Sequence, residues 1–415
     1  MISNTLENNL SRISIQVIAL LTIVMGFTLL IGGQPLIESW RVLIFFRAIE
    51  LLTVFTGVKV VFSARKHIFR FDMVWLLLAL TCVGFLSVVV SQNPAHSVWG
   101  NYIRRDGVLT LLHCILFSVI VAINSGKELF NVLTKSVATI SIVMSCYLIF
   151  WYIILYYSQW QQPLWQLFLT GVWQLPNENM VAGFLVVALP FTIYGLKVLV
   201  ADKKRLQWVL TGLVVLAIIV TQSWGAILTG VLGLAGYLMQ LKSRKTAITA
   251  ISLLVGVGLC AWMVWLQSAG NEVEGRTVIF RSLLVSVKEK PLLGWGWSNV
   301  DTAFESGYMK IFGTSPEAYV DKAHSIWLEY ITATGIVGLI VYIALQIRCL
   351  LIILNTKFDK DDQIKRALLF SLLLYSIHSQ TNVISIAEDL FFWIVIGFCL
   401  QKNTTAGSKD SWYTK

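Results

Sequence analysis

Apolar runs of about 20 residues, the length an α-helix needs to cross about 30 Å of hydrocarbon, recur along this chain between short polar or basic stretches. Twelve lie near 12–32, 40–63, 72–91, 107–124, 134–158, 180–200, 206–221, 224–241, 246–268, 326–350, 364–381 and 385–401. They predict an all-α polytopic membrane protein of about 12 transmembrane helices, with residues 1–415 as a single membrane domain. Only Thr221-Gln222-Ser223 parts the seventh run from the eighth, so a tight helical hairpin is expected there. A long polar loop, residues 267–325, separates the ninth run from the tenth. Within it, Gly275 to Glu289 has a helical amphipathic period, with Ile279, Leu283, Leu284 and Val287 apolar and Arg281 and Lys288 on another face. That spacing predicts a helix lying along the bilayer surface. Pro291-Leu-Leu-Gly294-Trp-Gly296-Trp297 then ends it with breakers and indoles expected at the interface.

Composition excludes an ordinary soluble domain: 57% of residues are hydrophobic, 13% are charged, and the mean hydropathy is +0.74. In a soluble protein the net charge of +10 would suggest nucleic acid, but here its distribution decides. One set of alternate loops holds 21 of the 32 Lys and Arg residues. The opposite set holds nine, six of them in the long loop, and Arg47 and Lys59 fall inside the second run. Basic residues near span ends resist translocation. Both termini are therefore expected in the cytoplasm, the long loop outside, and membrane lipids rather than nucleic acid as surroundings. The six cysteines stand singly in apolar runs, and no His/Cys/carboxylate set has metal-ligand spacing. No Gly-rich phosphate loop is present, so neither a metal nor another cofactor is expected. Asp359-Lys360-Asp361 spells the Asp-x-Asp pattern of soluble glycosyltransferases, but its flanking lysines and cytoplasmic position read as a solvated loop.

Candidate chemistry gathers on the outer face. His324 stands where the tenth run begins, in Lys322-Ala-His-Ser325. The free N–H groups of a helix start disfavour protonated imidazole, which keeps it available as a general base. The alternative is an interfacial histidine bonded to headgroups or to Ser325. Glu329 follows about 140° round the helix, able to neighbour the site or face another span. Arg104, Arg105 and Asp106 precede the fourth run and Arg276 opens the amphipathic helix. Guanidinium forks suit the developing charge of a diphosphate leaving group, and they equally suit ordinary lipid phosphates. Asn177-Glu178-Asn179 begins the sixth run and reads as a cap or a sugar contact. His378, Gln380, Asn382, Glu388 and Asp389 form a polar cluster that helix-end capping largely explains.

The chain resembles the O-antigen ligase and polymerase superfamily of bacterial membrane glycosyltransferases. Four stretches carry the likeness: Trp99-Gly100 to Arg104-Arg105-Asp106-Gly107; Pro176-Asn-Glu-Asn179 to Gly183; Gly275-Arg276 with Pro291-Leu-Leu-Gly294-Trp-Gly296; and Ala323-His324-Ser325 with Glu329, Gly335 and Gly338. The resemblance implies a glycosyltransferase C-type fold in the bacterial inner membrane. It also implies an undecaprenyl-diphosphate-linked glycan as donor, and a glycolipid, glycan or protein hydroxyl as acceptor. Inverting transfer without a metal is expected, with His324 as base, Arg276 on the diphosphate, Arg104, Arg105 and Arg281 as further cations, and Glu329, Ser325 and Asn179 in support. Family members carry an arginine after Thr-x-Ser in the seven–eight hairpin; here Trp224 follows Thr221-Gln222-Ser223. A secondary transporter or lipid-carrier flippase is the alternative, favoured only by Arg47 and Lys59 inside the second run.

Overall fold

The computed structural model describes residues 2–31, 35–62, 69–158, 177–239, 270–355 and 363–401. Fourteen helices and no strand form among them: α1 (Ile2–Leu30), α2 (Pro35–Phe62), α3 (Phe71–Val89), α4 (Pro94–Trp99), α5 (Val108–Asn124), α6 (Lys127–Ser158), α7 (Glu178–Leu199), α8 (Lys204–Val220), α9 (Trp224–Met239), α10 (Gly270–Val287), α11 (Val300–Phe312), α12 (Ile326–Asn355), α13 (Gln363–His378) and α14 (Ile386–Leu400). Helices occupy eleven of the twelve predicted runs. The ninth, 246–268, lies outside the described residues, as does Asp359-Lys360-Asp361.

Five helices hold segments long and apolar enough to cross a membrane: Glu7–Leu30, Phe71–Val89, Lys127–Ile153, Glu178–Leu199 and Ile326–Asn355. α2 has the length but carries Glu38, Arg41, Arg47, Glu50 and Lys59. α5, α8, α9, α13 and α14 have between 15 and 17 residues.

α7 and α14 form the centre. Every residue of α14 except Asp389 is buried, as are Met180 to Thr192 of α7. α6, α1 and α13 pack around α7, while α5 lines α14 and α3 packs on α12. Phe184 and Phe191 of α7 meet Phe391 of α14 at ring-centroid distances of 5.3 and 5.6 Å.

The long loop holds two helices where one was predicted. α10 and α11 cross so closely that a Cβ at Gly307 would strike the Ser282 carbonyl. They enclose a small core of Leu283, Trp295, Val300, Ala303, Phe304 and Ala323. The amphipathic reading is corrected in one respect: Leu284 is exposed, and the inward face also carries Ser282 and Ser286. The two indoles of the motif are engaged by the protein itself. Trp295 is buried and donates to the Ser286 carbonyl (2.9 Å), and Trp297 donates to the Asp106 carbonyl (2.9 Å). The Trp295 ring closes the cap on itself, and the Trp297 ring ties it to the loop before α5.

A break in α12 is what the cap grips. Gly335 has φ 69° and ψ −170°, a region open essentially to glycine alone. The break frees the Thr332 and Ala333 carbonyls, which accept from the N–H groups of Trp295 (2.8 Å) and Gly296 (3.0 Å); the Ile336 N–H donates to Pro291 (2.8 Å). Buried backbone groups need such partners. The Pro291–Gly296 motif and the Gly335 motif are thus two sides of one joint.

Candidate active site

All four non-glycine residues with positive φ among the described residues lie at one end of the bundle: Arg105 (51°), Gln222 (54°), Ser298 (58°) and His324 (54°). Such conformations cost about 1–3 kcal/mol each and persist where surrounding contacts over-determine them. Here the contacts are charged. The Arg104 guanidinium bonds Asp321 through Nε at 2.5 Å and through Nη2 at 3.5 Å. Lys322 forms ion pairs with Asp106 and with Glu329, the latter at 2.8 Å. Glu329 also accepts from the Ala323 N–H (2.9 Å), and Ser298 donates to Asp106 (2.7 Å). Three loops far apart in sequence, around 104–106, 298 and 321–324, are thereby tied together beside the start of α12.

This network sets its own charge states. Burial by itself pushes the Asp106 carboxyl up, but the Lys322 ammonium and the Ser298 hydroxyl outweigh it and hold the group below the ordinary carboxylate range. Burial likewise opposes the Lys322 charge, and the Asp106 and Glu329 carboxylates more than restore it, raising its pKa above the usual lysine value. Arg104 is pushed up by Asp321 against the same opposition.

Behind the network lies a cavity of about 930 Å³, including its open mouth, lined by Glu38, Arg104, Asp106, Lys322, Glu329 and Asp389 among others. Its wall is a ladder of rings. Trp297 meets Tyr330 edge-on (5.4 Å), Tyr330 stacks on Tyr342 (4.0 Å), and Tyr342 meets Phe392 (5.6 Å), on which Tyr375 stacks (4.9 Å). Asp389 accepts from Tyr375 (2.5 Å) and Trp393 (2.8 Å). The four carboxylates outnumber the two cations, and both cations are engaged by carboxylates.

A second constellation joins this end through the loop between α13 and α14. The Ser379 carbonyl accepts from Ile326 N–H (2.8 Å) and Gln380 Oε1 from the Ser325 hydroxyl (3.0 Å). The Thr381 carbonyl accepts from Arg276 Nη1 (2.9 Å), and Asn382 Oδ1 from Nη2 (3.4 Å). Asn382 Nδ2 in turn donates to Ser223 (3.5 Å). Four consecutive residues therefore hold the residue after His324, the Arg276 fork and the seven–eight hairpin. The capping account of this cluster is corrected: Ser385 caps α14, with its Oγ accepting from Glu388 N–H at 3.4 Å, whereas Gln380 and Asn382 bridge between helices. Just below, His378 and Glu388 are wholly buried with 4.0 Å between Nε2 and Oε2. A Cβ at Gly183 would collide with both, so the glycine of the sixth-run motif clears their space.

The predicted residues divide as follows. His324 and Arg276, both half-buried, flank the 379–382 loop, and Ser325 bonds it. Glu329 and Arg104 line the acidic cavity, Arg104 held by Asp321. Arg105 turns to Ser39. Arg281 and Asn179 are exposed, and the cap of α7 is Asn177, whose side chain accepts from Met180 N–H (3.2 Å). Asp321, Lys322 and the 379–382 loop were missed as parts of the site. Only the alternation of charge through Asp321-Lys322 and Glu329 signalled the first two. No metal-holding group of His, Cys or carboxylates occurs among the described residues.

No curated protein gives a significant match to the sequence. Residues 103–343, which run from the arginine loop through the two-helix cap and past the Gly335 joint, match the O-antigen ligase family model. They make up more than half of the chain, and the protein belongs to the O-antigen ligase family.

Proposed function

We propose that this membrane protein, whose family acts in glycan transfer for cell-surface polysaccharide assembly, moves a glycan from an undecaprenyl-diphosphate carrier to an acceptor hydroxyl on the outer face of the bacterial inner membrane. His324 takes the proton of the acceptor hydroxyl as its oxygen attacks the first sugar carbon. The bond from that carbon to the diphosphate oxygen breaks, the diphosphate leaves with the electron pair, and configuration inverts. Arg276 offsets the growing charge.

The observation that carries this reading is the 379–382 loop, which bonds Ser325 and Arg276 through consecutive residues. The strained backbone at His324 (φ 54°) supports it further. The carboxylate-rich, ring-walled cavity would repel a diphosphate and suits a neutral sugar ring, with hydroxyls donating to carboxylates. We therefore assign the diphosphate to the Arg276 side and withdraw Arg104 from the clamp.

The test is transfer in membranes supplied with a labelled undecaprenyl-diphosphate glycan. His324→Ala should abolish transfer at unchanged protein level, and Arg276→Lys should lose most of it, because one ammonium does not replace the fork. Full activity of His324→Ala removes the mechanism.

A further inference from the structure

Arg47 of α2 is a charged residue at mid-depth that the bundle does not cover. Ser39 on the same helix bonds Arg105 at the active-site end. At the other end, Lys59 bonds Asn124 Oδ1 at 2.9 Å. At about 1.5 Å per residue, Arg47 is about 12 Å from the first level and about 18 Å from the second. An arginine stem of about 6 Å reaches neither interface by snorkelling. Its partner is Glu50 one turn on (2.8 Å), and the side chains remain 72% and 45% exposed. His113 of α5 stands 3.8 Å from Glu50 and stacks on Phe46. An ion pair facing hydrocarbon is costly, and intramembrane charges are found against protein or a water-filled cavity.

The rest of the face has the shape of a helix seam. Trp40, Ile44, Arg47, Leu51, Val54 and Val58 are all exposed, at spacings that alternate four and three, as where helices pack side by side. Gly57, on the flank, has open space where a Cβ would be, leaving room for close approach. α2 packs on α1 and α5 through its other faces.

We propose that this face is a homodimer interface, in which α2 of one copy packs in parallel on α2 of a second copy about a two-fold axis along the membrane normal. The pattern selects a second copy because a two-fold interface must be self-complementary. Arg47 and Glu50, opposite in sign and one turn apart, satisfy that: each arginine answers the other copy's glutamate.

The proposal is independent of the transfer mechanism and is tested by oxidative cross-linking in native membranes. In a variant whose exposed Cys82 and Cys146 are replaced by serine, Leu51→Cys and Val54→Cys should each give a band of twice the chain mass. Phe85→Cys on α3 and Leu216→Cys on α8, exposed elsewhere, should not. Added to Leu51→Cys, Arg47→Glu or Glu50→Arg alone should cut the cross-link about tenfold, because like charges then face each other. The double exchange should restore it. Absence of the band, a band whose mass includes another protein, or equal bands from the α3 and α8 controls would each overturn the dimer.

Discussion

Removing the ammonium of Lys322 tests the lock beside His324 most directly. Lys322 is 15% exposed at its side chain and pairs with Asp106 (22%) and Glu329 (15%). At 2.8 Å and an effective dielectric near 20, the Glu329 pair alone has a gross attraction of about 6 kcal/mol, most of which desolvation offsets. Lys322→Met does not recover that desolvation: it leaves two carboxylates facing each other, and breaking a buried pair in this way costs about 3–5 kcal/mol. The loops at 104–106, 298 and 321–324 should then separate, and His324 should lose its position although it is unchanged. The expected outcome is a lowered melting temperature of the purified protein and transfer reduced at least about tenfold, with protein still present in membranes. Adding Asp106→Asn removes one of the stranded charges and should return part of the thermal stability. If Lys322→Met melts and transfers like the parent, or if Asp106→Asn worsens it, the network does not hold this end together.

Gly335→Ala should destabilise the protein by about 3 kcal/mol or more, since it combines a Gly-only conformation with a Cβ driven into the Leu292 backbone and the loss of up to three joint hydrogen bonds; thermal melting in detergent measures it. His324→Gly should abolish transfer while keeping stability or raising it by up to about 1 kcal/mol, read as an unchanged or higher melting temperature, because glycine relieves the positive φ. A loss of stability there would show that the imidazole holds the fold rather than the chemistry.

The charge lock also has a pH window. Asp106, depressed in the folded state, contributes stability that is complete above the ordinary carboxylate pKa of about 4 and lost as pH falls through its folded value. Lys322, raised, contributes fully below about 10.4 and loses this as pH rises through its folded value. The melting difference between the parent and Lys322→Met should therefore be widest around neutral pH, shrink as pH falls and the carboxylates stranded in the variant take up protons, and shrink again above about pH 10.

Much of the helical framework is legible in the sequence because it is a local property. Run length and apolarity predict where α1, α3, α6, α7 and α12 fall. The likeness to the family likewise rests on short local strings, but the reasons for its glycines are tertiary: a Cβ at Gly183 would meet His378 and Glu388, and one at Gly335 the Leu292 backbone. Partnership is different. Arg104 and Arg276 look alike as sequence, yet one is held by Asp321, 217 positions away, and the other reaches the 379–382 loop. The two indoles at 295 and 297 read as interfacial; the fold buries Trp295 and half-buries Trp297, and both donate hydrogen bonds to backbone carbonyls. Periodicity registers which residues share a face of one helix. Which faces and loop ends meet, and so which charge is neutralised, which glycine makes room for another side chain and which arginine reaches the loop that bonds Ser325, is decided only when α10 and α11 pack on α12 and the α13–α14 loop.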